Sequence, residues 1–149
     1  MSVEENVKLM RRWFQEVWNE RKTETIYELL APDAVAIGDL EDGVELRGPE
    51  EFVAFARRIR GAFPDMNFVV EDAFGAEDKV VLRWSARMTH LGDYPGMPAT
   101  GKPVQITGIT IVRIANKQIV EGWDNWDQLG MLKQIGVYAP SPAALLKSA

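Results

Sequence analysis

Residues 102–126 read KPVQITGITIVRIANKQIVEGWDNW, and this stretch decides the fold class. Its side chains follow a period of two on either side of Asn116-Lys117, a pair suited to a tight turn, so it predicts two long antiparallel strands. The sorting by face then singles out one acid. Val120, Gly122, Asp124 and Trp126 fall on one side of the last strand, and Ile119, Glu121, Trp123 and Asn125 on the other. A carboxylate that shares a face with valine and tryptophan, beside a space-making glycine, needs compensation if it is buried. Asp127 sits three residues further on, where a helix starts with Leu129, Leu132 and Ile135 on its face, and reads as an N-cap.

Upstream, the same period of two runs through DMNFVVEDAFG and KVVLRWSARMTHL, residues 65–75 and 79–91. On the second of these, Val80, Leu82, Trp84, Ala86, Met88 and His90 share a face, so the chain's single histidine ends an apolar row. The segment before Pro64 has a different period. Val7, Met10, Phe14, Val17 and Trp18 recur at three- and four-residue spacing and predict an amphipathic helix over residues 3–20. TETIYELLA predicts a second helix that stops before Pro32, AVAIG a short strand, and Asp42-Gly43 a hairpin turn. Gly48-Pro49-Glu50-Glu51 starts a third helix with Phe52, Phe55, Ala56 and Ile59 on its apolar face. Helices followed by long antiparallel strands make an α+β domain in which a curved sheet wraps the helices into a cone. The expected organisation is one domain over residues 1–137 and a tail over 138–149.

Composition narrows the function classes. The 149 residues are 46% hydrophobic and 26% charged, with a formal net charge of −5 and no cysteine. That balance supports one packed core and offers no basic stripe for nucleic acid. Thiol chemistry and Cys-ligated zinc are excluded. With one histidine, no metal centre and no bound cofactor are expected. The charged start and the lack of a long apolar run point to neither a signal peptide nor a membrane span, so the expected location is cytoplasmic. GDYPGMPATGK is glycine-rich but has no following helix, which argues against a nucleotide loop.

The residues alone leave two readings of Asp124. It projects into a pocket as a general acid or base with a pKa raised by desolvation, or it is structural, paired with Arg83, Arg87 or Arg113 or accepting backbone hydrogen bonds at the strand end. His90 is divided in the same way between a hydrogen-bonded structural role and a proton partner of Asp124. Trp18 and Phe55, on the roofing helices, together with Trp84, Met88, Thr110 and Trp126, are the candidate lining for a flat apolar ligand. Ile109, Ile111 and Trp123 face outward and suit a homodimer contact.

From His90 onward the motifs carry a resemblance. The string TH-x-G-x-x-PGMPATGKPV, then VRIANKQIVEGWDNWDQLGMLKQIG, resembles the SnoaL-like polyketide cyclases and their ester-cyclase relatives, within the nuclear transport factor 2-like α+β cone superfamily. Pro32-Asp33 and the GPEEF helix start fit the same pattern. The resemblance implies that Asp124 is the acid/base of an intramolecular aldol closure on a hydrophobic carbonyl compound, that His90 belongs to the site, and that Trp18 and Phe55 shape the pocket. Where those cyclases carry a histidine on the preceding strand and another just before the aspartate, this chain has Thr110 and Gly122. The epoxide hydrolases of the superfamily need an Arg-x-Asp pair where this chain has Gly108 and Thr110. The alternatives that remain are a non-catalytic binding or scaffold protein and another proton-transfer or hydrolytic enzyme on the same fold.

Overall fold

The computed structural model describes residues 2–40, 44–94 and 96–137. The expected Asp42-Gly43 turn and the tail over 138–149 lie outside them. The elements run α1 (Val3–Trp13), a π-helical turn (Phe14–Asn19), α2 (Thr23–Leu29), β1 (Leu30–Ile37), β2 (Glu45–Arg47), α3 (Gly48–Ala62), β3 (Asn67–Ala76), β4 (Lys79–Thr89), β5 (Pro103–Ala115), β6 (Gln118–Trp126) and α4 (Gln128–Gln134). The strands form one six-stranded sheet in the order β2-β1-β6-β5-β4-β3, and the α+β expectation holds.

Local chemistry accounts for the boundaries. Ser2 and Glu5 form a reciprocal capping box at the start of α1. The helix expected over residues 3–20 widens after Trp13. Glu20 donates its N–H to the Gln15 carbonyl at 2.9 Å, a five-residue step that keeps Phe14, Val17 and Trp18 all buried. Pro49 occupies the first turn of α3. Asn116 and Lys117 both take positive φ, 52° and 61°, as a two-residue hairpin between right-twisted strands requires.

The inner faces of β4 and β5 are those the period of two assigns: Val80, Leu82, Trp84, Ala86 and Met88, then Val104, Ile106, Val112 and Ile114, are all buried in one core. β6 departs from it. A bulge shifts its pairing between Arg113 opposite Glu121 and Ile114 opposite Ile119. Ile119 therefore points into the core, only 4% exposed, and Val120 is half-buried, the reverse of the sequence expectation. Gly122, Asp124 and Trp126 keep the inward side. In α4 the buried anchors are Met131 and Ile135, whereas Leu129 is 47% exposed, because the helix lies on the outer end of β5 with one narrow seam. Asp127 caps it as expected, accepting the Gly130 N–H at 2.9 Å.

On the outer face, register aligns Phe74 with Val81, Val81 with Ile111, Ile111 with Trp123 and Trp123 with Ile37. An apolar row thus crosses five strands, with Phe74 60% exposed at one end. No helix among the described residues is long and apolar enough to cross a membrane.

Candidate active site

Between the helices and the concave side of the sheet lies a cavity of about 100 Å³. Its wall is apolar. Trp18 from the π-helical turn, Phe55 from α3, Trp84 and Met88 from β4, Thr110 from β5 and Trp126 from β6 all line it. The six residues the sequence put forward as a lining therefore meet around one space. Two titratable side chains, Asp124 and Asp39, are also among the described lining residues.

Asp124 is held by a directional chain that begins at a glycine. Gly108 stands opposite Trp84 in register, and a Cβ there would come within 2.3 Å of the indole. Only glycine lets the indole lie across β5 and donate its Nε1–H to the Thr110 hydroxyl at 2.9 Å. Tryptophan can only donate, so the single hydroxyl hydrogen of Thr110 is free to point onward. It does so to Oδ1 of Asp124, the residue opposite Thr110 on β6. Gly122, which also lines the cavity, keeps the approach open: the nearest atom to a Cβ there is Val112 Cγ1 at 3.8 Å.

No arginine reaches this carboxyl. Arg83 pairs with Asp72 at 2.7 Å and Arg113 with Glu121 at 2.6 Å, both on the outer surface. Arg87 is exposed on the same outer side of β4. Asp124 as a whole keeps some exposed surface, but its carboxyl is enclosed. Burial therefore raises its pKa, against the lowering effect of hydrogen bonds from Asp39 and Thr110. The ion-pair reading left open by the sequence is not what the structure contains.

Asp39 was not expected from the sequence. It reaches the site because β1 runs parallel to β6, with Ile37 opposite Trp123. Gly38, at φ +94°, then turns the chain tightly over the Asp124 backbone. The turn is pinned by the Trp126 indole, whose Nε1–H donates to the Gly38 carbonyl at 3.2 Å. Asp39 is 7% exposed and its Oδ2 has no hydrogen-bond partner among the described residues. Burial, the neighbouring Asp124 charge and the hydrogen bond between the two carboxyls push its pKa well above the ordinary range. Two buried carboxyls with no cation beside them among the described residues cannot both ionise at modest cost, which favours sharing one proton between them. The signal in the sequence was the Gly38-Asp39 step directly after a strand, readable only with the partner strand known.

His90 is fully buried at the end of β4 but is not among the cavity-lining residues. Its Nδ1 accepts the Thr100 N–H at 3.2 Å and meets the Thr100 hydroxyl at 3.0 Å. An N–H donor on Nδ1 leaves the ring proton of the neutral imidazole on Nε2, which has no hydrogen-bond partner among the described residues. The ring packs 5.5 Å from that of Phe63, itself a lining residue. The structure thus brings Asp124 and the lining together and leaves His90 one layer behind, stapling the glycine-rich loop at residues 90–102.

Comparison with known proteins places this geometry. A family model described as SnoaL-like polyketide cyclase matches residues 8–135. The aklanonic acid methyl ester cyclase DauD of Streptomyces sp. (strain C5) is 32% identical over 139 residues, covering 91% of this chain and 84% of its own. Among solved structures, IdmH from Streptomyces antibioticus superposes with a TM-score of 0.77 at 32% identity, covering 89% of this chain and 99% of its own. A SnoaL-like protein from Jannaschia sp. CCS1 reaches 0.83 at 24% identity, covering 92% and 94%, which concerns the fold alone.

Proposed function

The chain belongs to the SnoaL-like polyketide cyclase family, and from that premise we propose that it closes a ring on an apolar, polyketide-type carbonyl compound, with Asp124 as the base. The observation that carries this reading is a carboxyl enclosed in an apolar cavity, with no cation beside it among the described residues and a pKa raised by its burial. A raised pKa brings the base closer to the working pH, where general catalysis is most effective. The substrate supplies the rest of the driving force. A C–H flanked by two carbonyl groups is already acidic, so a dry, shaped cavity that folds the chain into a reactive pose is sufficient without a cofactor.

On this reading the flat lining of Trp18, Phe55, Trp84 and Trp126 stacks against the conjugated part of the substrate. Thr110 orients the base. His90 acts at one remove by tying down the loop behind Phe63. A cone used only for binding would be expected to neutralise Asp124 with an arginine, and none reaches it.

The test uses aklanonic acid methyl ester, the compound named for the relative DauD, and related fused-ring methyl esters. Asp124→Asn is expected to lower the cyclisation rate by about 10²–10⁴-fold while leaving the circular dichroism spectrum intact. A folded Asp124→Asn protein that cyclises at the wild-type rate overturns the reading.

A further inference from the structure

We propose that Asp39 is the general acid of the same reaction, so that the site is a one-proton carboxyl pair with divided roles: Asp124 takes the proton from carbon and Asp39 gives one to oxygen. The inference rests on the cyclase reading above and extends it to a second catalytic residue and a narrower substrate class.

The geometry assigns the roles. Both carboxyls line the cavity. Oδ1 of Asp124 accepts from Thr110, whose hydrogen cannot point elsewhere because Trp84 donates to the same oxygen. Asp124 is thereby prepared as the acceptor of the pair. Asp39 has the opposite surroundings. It is 7% exposed, its Oδ2 has no hydrogen-bond partner among the described residues, and the group it pairs with is the other carboxyl. Apart from that carboxyl, no side chain or backbone group among the described residues donates to it to support a negative charge. The proton therefore rests on Asp39 and the charge on Asp124. These two are the only titratable side chains among the described lining residues, so no third group competes for the proton.

An aldol closure needs both functions. The C–H bond at the doubly activated carbon breaks, its proton passes to a carboxylate oxygen of Asp124, and the electron pair forms the new C–C bond to a ketone carbon. The ketone π bond breaks onto its oxygen, which takes the proton from Asp39. After closure Asp124 is neutral and Asp39 ionised. One proton transfer from Asp124 to Asp39, across the hydrogen bond they already share, restores the starting state. No water or external acid enters the cycle. The substrate class follows: a β-dicarbonyl carbon and a ketone on one apolar frame, close enough in the folded pose for the two carboxyls to address both.

Asp39→Asn separates the steps. The amide still donates a hydrogen bond to Asp124, so the base stays ionised, but it cannot deliver a proton. With aklanonic acid methyl ester in deuterated buffer, wild type is expected to catalyse both deuterium incorporation at the activated carbon, above background, and ring closure. Asp39→Asn is expected to keep the incorporation within a few-fold and lose about 10²–10⁴-fold in closure. Asp124→Asn is expected to lose both. Closure by Asp39→Asn within a few-fold of wild type overturns the role of Asp39 while leaving that of Asp124 standing. Normal closure by Asp124→Asn overturns the underlying reading instead. A second measurement requires neither substrate nor a folded variant: carboxyl-carbon NMR of the wild-type protein is expected to find Asp39 protonated at neutral pH. An ionised Asp39 overturns the proposal.

Discussion

Replacing Gly38 by alanine tests the architecture of the site without touching either carboxyl. Gly38 has φ +94°, and a Cβ built there would stand 1.9 Å from the Asp124 carbonyl oxygen and 2.9 Å from its carbon. The obstacle is backbone in the middle of a sheet, so no side-chain rotation relieves it. Left-handed strain costs about 1–2 kcal/mol for a residue with a Cβ. Forcing apart well-packed backbone adds about 1–3 kcal/mol, so Gly38→Ala is expected to lose about 2–5 kcal/mol. For a domain of this size that corresponds to a fall of roughly 5–15 °C in Tm.

Gly61, in α3, is the internal control: it has helical φ, and nothing lies within 4 Å of a Cβ there. Gly61→Ala is expected to gain about 0.5–1 kcal/mol from the smaller loss of backbone entropy. Urea unfolding followed by tryptophan fluorescence measures both. The same displacement lifts Asp39 away from Asp124, so in Gly38→Ala the carboxyl resonance of Asp39 is expected to titrate closer to an ordinary aspartate. Equal stability of Gly38→Ala and wild type refutes the close parallel approach of β1 to β6 on which the pair depends.

Two further outcomes follow from the same structure. On the proposal above, the native protein holds a proton on Asp39 that the unfolded chain releases above pH ~3.9. Stability is therefore expected to fall as pH rises from that point toward the raised pKa, by at most about 1.4 kcal/mol per pH unit, and the difference between wild type and Asp39→Asn in urea unfolding isolates this slope. Glu16, held low by hydrogen bonds from Arg12 and Thr25, acts in the opposite direction and only below about pH 4.5. Separately, the outer apolar row of Phe74, Val81, Ile111, Trp123 and Ile37 is expected to be covered by a second copy of the chain. Light scattering at micromolar concentration should give the mass of a dimer in wild type and a smaller one in Ile111→Glu, and a monomeric wild-type mass overturns this.

How much of this was legible in the sequence depended on the distance over which each feature is determined. The inward faces of β4 and β5 follow from alternation within one strand, and so does the inward aim of Asp124. The capping roles of Asp127 and Pro49 are likewise local. Ile119 and Val120 were misplaced because a bulge adds one residue to β6 opposite Arg113, and a single extra residue reverses every side chain before it. Nothing in QIVEG marks that insertion. Asp39 was missed for a different reason. Its position is set by the pairing of Ile37 with Trp123, a contact between distant parts of the chain, and by a glycine whose need is apparent only once the Asp124 backbone is beneath it.

The two departures from the resembling cyclases then have a joint consequence. A histidine at the position of Thr110 could carry a proton; a threonine hydroxyl, with one hydrogen already committed to Asp124, cannot. A histidine at the position of Gly122 would fill the space through which the substrate approaches Asp124. With both absent, the site on the proposed reading keeps an oriented base and has no histidine beside it to carry a proton. On the proposal argued above, Asp39 supplies what Thr110 cannot. It does so at a cost in stability that grows with pH, because its neutral form is favoured only while β1, Gly38 and Trp126 keep it out of water. Acid strength at Asp39 and burial at Asp39 are thus one property. A substitution that opens the Gly38 turn to solvent is therefore expected to flatten the fall of stability with rising pH and to disable the acid together.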